Sequence, residues 1–179
     1  MIAIVFALLW VSADGQTATQ APPGPVMAAT VPEYERVRDF LLRSAEQMPE
    51  EHYAFKPTQA VRSFGEIVGH VAEVQYMFCA AARNEPNPQP EKFEKTRATK
   101  ARLVDALKAS FSYCDTAYKM TDARATASVK IPDWGERAPL SILVLNISHD
   151  SEHYGNFVTY PPQGARAALQ PAREVSRGR

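Results

Sequence analysis

The spacing of apolar residues along the chain predicts four amphipathic helices. In each helical segment the apolar side chains recur three or four positions apart, which places them on one face of a helix. No segment shows a convincing alternation of apolar and polar residues of the kind expected for strands. The pattern therefore predicts an all-α protein, and four such helices most simply form a four-helix bundle.

Capping sequences mark where the first two helices should begin. Residues 30–33 (TVPE) have the spacing of a capping box, with Pro32 at the first helical position, and the helix should end before Pro49. Residues 63–66 (SFGE) form a second capping box, and the helix that follows should run to about Arg83. The inward stripes of these helices comprise Tyr34, Val37, Leu41, Ser44 and Met48 in the first, and Ile67, His70, Val71, Val74, Met77, Phe78 and Ala81 in the second.

A Pro-rich segment precedes the third predicted helix, and a segment of mixed composition precedes the fourth. The third should start near Thr99, and its stripe comprises Leu103, Leu107, Ser110, Phe111, Cys114 and Tyr118. Residues 121–138 are mixed, with a turn signal at residues 132–135 (PDWG), and suit a crossover between helices. Pro139 opens the fourth helix, whose first turns are apolar nearly all round, so we expect this helix to be buried.

The N-terminal segment differs in composition from the rest. Residues 1–11 are almost wholly apolar but too short to span a bilayer, and Val11-Ser12-Ala13 has a small-residue cleavage pattern. We therefore predict a signal peptide at residues 1–13 and export to the periplasm or the cell exterior. No Lys or Arg precedes the apolar run, so a start further upstream or a buried N-terminal segment is the alternative. Residues 14–29 are predicted to be a disordered linker, and the bundle is predicted to span residues 30–160.

Composition narrows the class of function. Twenty basic and twenty acidic residues leave no net charge, which argues against nucleic acid and anionic membranes as partners. Apolar residues make up 45% of the chain, as in soluble globular proteins, and 179 residues suffice for one domain with a real core. A site for a small-molecule substrate is the simplest expectation.

Three of the four histidines can be brought together by this arrangement. His149 and His153 are four positions apart, so their imidazoles lie one above the other on the fourth helix. His70 lies in the middle of the apolar stripe of the second helix. The alternative is that all three are core or surface histidines, as we expect for His52 in its loop. Three imidazoles without a further carboxylate or thiolate would form an open metal site, which is typical of catalytic centres.

Two longer motifs resemble a known family. Residues 62–71 (RSFGEIVGHV) and 149–156 (HDSEHYGN), supported by residues 48–53 (MPEEHY) and 111–115 (FSYCD), resemble the DinB or YfiT-like metalloenzymes. This resemblance implies a bundle of up-down-down-up topology, often a homodimer. It also implies a divalent metal, nickel, zinc or iron, bound by His70, His149 and His153.

The resemblance also implies a chemistry. Relatives in this family use low-molecular-weight thiols, mycothiol or bacillithiol, as the nucleophile for isomerisation or transfer. A metal deprotonates a coordinated thiol, and it would activate a coordinated water in the same way, giving hydrolysis instead. The leading hypothesis is a metal-dependent transferase, isomerase or hydrolase. The alternatives are a non-catalytic metal-binding or stress-associated module, and a purely structural bundle.

The residues around the two spaced histidines have more modest expected roles. Asp150 and Glu152 are candidates to accept a hydrogen bond from an imidazole, while Tyr154 and Asn156 either line a pocket or pack within the bundle. The pattern His149-x-x-Glu152-His153 also matches inverzincin proteases. We reject that interpretation because such a site needs a further ligand, and no histidine follows His153.

Two features remain open in the sequence. Cys79 and Cys114 form either a disulfide, as is common in exported proteins, or two free buried thiols. After Tyr160 the resemblance ends abruptly at Pro161-Pro162, and a one-base slip there would restore the family's usual ending. We hypothesise a frameshift near Tyr160 and predict that residues 161–179 form a disordered tail.

Overall fold

This computed structural model describes residues 24–89, 91–96 and 98–159, and four long helices and one short helix make up most of these residues. The helices are α1 (Pro25–Gln47), α2 (Phe64–Arg83), α3 (Lys100–Ala117), the short α4 (Asp122–Thr126) and α5 (Pro139–Thr159). Strands β1 (Val129–Ile131) and β2 (Gly135–Arg137) form an antiparallel hairpin, and single 3₁₀ turns occupy Glu50–His52 and Phe93–Lys95. The predicted all-α four-helix bundle is confirmed.

Helices α2 and α3 run parallel to each other. Near their starts they approach so closely that a methyl group on Gly65 would lie 3.3 Å from Leu103 Cδ1. Further along, a disulfide joins Cys79 on α2 to Cys114 on α3, with Cα atoms 5.3 Å apart. Of the two alternatives left open by the sequence, the disulfide is therefore the one the structure contains.

Helices α2 and α5 are antiparallel, and so are α1 and α3. Phe64 at the start of α2 packs against Phe157 near the end of α5, with ring centroids 4.7 Å apart. Lys100 at the start of α3 donates a hydrogen bond of 2.8 Å to the carbonyl of Met48, just beyond the end of α1. Helices α1 and α5 therefore run one way and α2 and α3 the other, which is the predicted up-down-down-up topology.

The core between the four helices is filled by large apolar side chains. Since each helix contributes the inward stripe expected from its spacing, burial of these residues supplies most of the driving force for folding. The largest fully buried side chains include Tyr34, Phe64, Phe111, Phe157, Met27, Leu41, Met48, Ile67, Leu107, Ile131, Ile142 and Leu143.

Helix α1 begins at Pro25, five residues before the capping box that predicted its start. Residues 25–29, assigned to a linker from composition, are helical, and Pro32 lies inside the helix. The reason is a cap from a distant residue: Asp122 accepts hydrogen bonds from the backbone N–H groups of Val26 and Met27, at 2.8 and 2.9 Å. A carboxylate at this end also complements the helix dipole.

Replacing Asp122 by alanine should lower the free energy of unfolding by about 1–2 kcal/mol, because the first N–H groups of α1 would lose their acceptors. Urea unfolding followed by circular dichroism measures this. Asp105→Ala removes a carboxylate from an exposed position of α3 and should leave stability nearly unchanged. Equal unfolding curves for the two variants would contradict the capping role.

The second and third helices start where the sequence predicts. Ser63 accepts a hydrogen bond from the N–H of Glu66, whose side chain accepts one from the N–H of Ser63, so the capping box is complete. Thr99 caps α3 through the N–H of Arg102.

The prediction that α5 is buried all round is wrong for one side. Val144 and Leu145 are 52% and 43% exposed, and on α2 Met77 is 38% exposed although the spacing placed it on the inward face. In a four-helix bundle each helix packs closely against only two neighbours. A helical turn that is apolar on all sides therefore exposes some of its apolar side chains to solvent.

The predicted turn at residues 132–135 is confirmed, but the strands beside it were missed. Asp133 and Gly135 have φ values of 63° and 76°, which allow the chain to reverse between β1 and β2. Each strand has only three residues, which is too short for an alternating pattern to be recognised.

The predicted signal peptide, most of the linker and the tail after Tyr160 lie outside the described residues. Within the described ranges, no helix is both long and apolar enough to cross a membrane.

Candidate metal centre

The three predicted histidines meet between helices α2 and α5. His149 and His153 lie one turn apart on α5, and the antiparallel packing of α2 brings His70 opposite them. His149 Nε2 lies 3.2 Å from His70 Nε2 and 3.1 Å from His153 Nε2. The ring nitrogens of all three residues lie within 4.8 Å of one another, so the cluster expected from sequence is present.

The two separations from His149 Nε2, of 3.1 and 3.2 Å, match those of imidazoles that share one cation. Metal–imidazole bonds of about 2.0–2.1 Å, at tetrahedral or octahedral angles, separate neighbouring nitrogen ligands by roughly 3.0–3.4 Å. Three lone pairs directed at one point repel one another unless a cation or protons lie between them. The donor set therefore fits a divalent metal of the zinc, nickel or iron class.

Glu94 orients the His70 ring. Glu94 Oε2 lies 2.8 Å from His70 Nδ1, so Nδ1–H donates to the carboxylate and the lone pair of Nε2 remains free for a metal. Glu94 is itself held twice: its Oε1 accepts from Arg62 Nε at 2.8 Å, and its backbone N–H donates to Glu73 Oε1 at 2.7 Å.

A glycine on α2 brings Glu94 within reach. A Cβ atom at Gly69 would lie 2.7 Å from the carbonyl carbon and oxygen of Phe93. Since these are backbone atoms, any larger residue at position 69 would push the Phe93–Lys95 turn away from the helix. The absence of a side chain at Gly69 thus allows the turn to pack directly beside His70.

Replacing Glu94 by alanine should weaken zinc binding by roughly tenfold to a hundredfold, because the His70 ring would lose its orienting acceptor. Titration with a competing chromogenic chelator measures this affinity. Glu91→Ala is the matched control, since Glu91 lies in the same segment but pairs with Arg102. Equal zinc affinity for both variants would show that Glu94 does not support the site.

A buried polar network lies beneath His149. Gln75 on α2 donates to Oδ1 of the fully buried Asp150, Asn146 donates to Gln75 Oε1 at 3.0 Å, and the Tyr118 hydroxyl lies 2.9 Å from Asn146 Oδ1. Asp150 Oδ1 is also 3.7 Å from His149 Nδ1. Burial raises the pKa of Asp150, while the nearby His149 and Gln75 oppose that shift.

The environment keeps His153 neutral. Burial, followed by the neighbouring His149 and His70, lowers the pKa of His153 to about 3. Burial also lowers the pKa of His70, and Glu94 opposes that shift. Neutral imidazoles are the form that binds metals, so near pH 7 protons compete little for these two nitrogens.

Asn156 lies against the other side of His153. Its side-chain amide is 3.3 Å from His153 Nδ1. The amide nitrogen Nδ2 faces the ring, so Asn156 donates to Nδ1 in this orientation. A metal on Nε2 requires the amide turned over, so that its oxygen accepts from Nδ1–H.

An open cleft reaches the cluster from outside. It has a volume of about 710 Å³, and His153 and Asn156 are among the residues that line it. Its other lining residues are Lys56, Gln59, Ala60, Val61, Arg62, Glu66, Ile67, Glu94 and Lys95. A small molecule in this cleft would have direct access to His153.

The remaining predicted residues, and His52, do not take part in the histidine cluster. Tyr154 stacks on Phe40 of α1, with centroids 5.0 Å apart, and so serves packing. Glu152 is exposed and makes no hydrogen bond to an imidazole within the described ranges. His52 lies in the Glu50–His52 turn, apart from the cluster.

Two residues of the site were missed from sequence. Glu94 lies 24 positions after His70 in a segment without periodicity, so nothing local could connect them. Gln75 could have been noticed, because it is an amide among the apolar residues of α2 and a buried amide needs a hydrogen-bond partner.

Comparison with known proteins agrees with this fold. No curated protein matches the chain. The crystal structure of a DinB-like protein, YjoA from Bacillus subtilis, superposes with a TM-score of 0.60 and 19% sequence identity, covering 80% of this chain and 94% of that one. At this identity the likeness concerns the fold alone. The sequence model of the DinB superfamily matches residues 33–156, which include all three clustered histidines. The chain therefore belongs to the DinB superfamily.

Proposed function

We propose that this protein is a metal-dependent enzyme in which His70, His149 and His153 hold a divalent zinc, nickel or iron ion. One observation carries the proposal: three imidazole nitrogens from two helices converge at ligand spacing beside an open cleft. Three protein ligands leave room for a fourth from solvent or substrate.

The charges around the cluster support a cation there. Asp150 is fully buried, its Oδ2 has no hydrogen-bond partner within the described residues, and His149 separates it from the proposed metal position. A buried carboxylate is costly unless a positive charge compensates it. Glu94 next to His70 is paired with Arg62 at 2.8 Å, so Asp150 is the carboxylate whose charge the metal would compensate.

When bound, such an ion lowers the pKa of a coordinated water or thiol and so provides a nucleophile at neutral pH. Glu94 would orient the ring of His70, and the cleft would admit a small substrate. We propose transfer, isomerisation or hydrolysis as the reaction class, with a low-molecular-weight thiol as the second cofactor for the first two.

We also propose that the protein is exported and forms a homodimer. The disulfide between Cys79 and Cys114 supports export, because disulfides persist in oxidising compartments. The exposed apolar side chains of Val144 and Leu145 on α5 support an interface between two copies.

Metal analysis of the full chain, purified without chelator and without a histidine tag, tests the proposal. We expect close to one zinc, nickel or iron ion per chain. We also expect turnover of electrophilic small molecules, either by transfer or isomerisation that requires an added thiol or by hydrolysis that does not. A chain that binds none of these ions after reconstitution would contradict the proposal. Stoichiometric metal with no turnover of any tested substrate class would instead favour a non-catalytic metal-binding module.

A further inference from the structure

A second cavity adjoins the cleft beside the histidines. The second cavity has a volume of about 570 Å³ and extends past Tyr53 and Leu103. Four residues line both cavities: Lys56, Glu66, Glu94 and Lys95. The two cavities therefore adjoin, and these four residues lie at their junction. The cavity beside the histidines is the first lobe and the other is the second.

Three of the four charges at the junction are already neutralised. Lys56 Nζ lies 2.8 Å from Glu66 Oε2, and Glu94 is shared by His70 and Arg62.

Lys95 is the exception at the junction. It is exposed and has no hydrogen-bond or ion-pair partner among the residues that the structure describes. One positive charge is thus left for a ligand at the point where the lobes meet, and no acidic group of the junction is left for a cation.

We propose that the two-lobed cleft binds an elongated anionic small molecule, whose carboxylate or phosphate group pairs with Lys95 at the junction. Its reacting end lies in the first lobe beside His153, and an apolar part lies in the second lobe along Tyr53 and Leu103. This names the substrate class of the proposed site, and the position of the reacting end rests on the proposed function.

The inference is tested with four probes that share a six-carbon chain: hexanoate, hexyl phosphate, hexan-1-ol and hexylammonium. Binding to the metal-free full chain is measured by NMR titration. A single exposed ion pair is worth a few-fold in affinity, so the better of the two anions should bind roughly three- to fivefold more tightly than hexan-1-ol, and hexylammonium most weakly. The better anion identifies the recognised group.

Lys95→Ala should abolish the preference for the anion and leave hexan-1-ol binding unchanged. Lys130→Ala is the matched control, because Lys130 is an exposed lysine on strand β1, away from the cleft. Equal binding of the anions and hexan-1-ol, a preference that survives Lys95→Ala, or no binding of any probe at millimolar concentration would overturn the inference.

The outcome is separable from that of the proposed function. Zinc binding is measured on the same preparation without any probe. Zinc binding without a preference for anions would contradict the inference alone. A Lys95-dependent preference for anions without zinc binding would contradict the metal-dependent function alone.

Discussion

The double variant His149→Ala, His153→Ala is expected to bind zinc at least roughly a thousandfold more weakly than the unaltered chain. Structural zinc sites with four ligands gain about 10–16 kcal/mol, so removing two of the three protein ligands should cost well over 4 kcal/mol. Isothermal titration and metal analysis of the dialysed protein measure the loss. The double variant should also bind nickel and iron more weakly than the unaltered chain, because these metals use the same nitrogen donors.

His52→Ala is the control for this variant, since His52 is a histidine outside the cluster. It should retain the affinity and stoichiometry of the unaltered chain. His153→Gln keeps a side chain of similar length and removes one ligand, so it covers the case in which the double variant folds poorly. Retention of full zinc affinity by His153→Gln and by a folded double variant would exclude these residues as ligands.

The metal-free protein is expected to lose stability steeply as the pH falls below about 6.5. The pKa of His153 is lowered to about 3 by burial, whereas in the unfolded chain it returns to its ordinary value of about 6.5. Between these values the unfolded state binds one more proton than the folded state. His153 should therefore lower the free energy of unfolding by up to about 1.4 kcal/mol for each unit that the pH falls.

Urea unfolding at several pH values from 5.0 to 7.5, in the presence of a chelator, measures this slope. His70 should add to it in the same direction, because burial lowers its pKa as well. Between pH 6.5 and 5.0 we expect the unaltered chain to lose about 1.6 kcal/mol more than His153→Gln does. Parallel stability curves for the two proteins would show that His153 titrates normally in the folded state.

Local sequence was sufficient for most of the helical framework. The capping box at residues 63–66 predicted the start of α2 because both of its hydrogen bonds form within one turn. Helix α3 was located by its stripe from Leu103 to Tyr118, and α5 by Pro139 at its start. Both signals are local, since they depend only on neighbours along the chain. The start of α1 was wrong because its cap, Asp122, comes from almost 100 residues away.

In the candidate site, too, the features that depend on one helix were predicted and the one that depends on a distant segment was not. The spacing of His149 and His153 is a property of one helix, and His70 could be identified because it interrupts an apolar stripe. Glu94 could not be identified, since its role depends on Gly69 admitting a turn from another segment.

By itself, the sequence determined the fold class, most of the helix faces and the three histidines, because each of these follows from periodicity within one helix. Only the tertiary structure decided that Cys79 pairs with Cys114, that Glu94 orients His70, and that Lys95, without a partner among the described residues, lies at the junction of two cavities. The physical reason is that hydrogen bonds, disulfides and clefts depend on distances between segments far apart in the chain. Those distances exist only after the apolar faces have packed together.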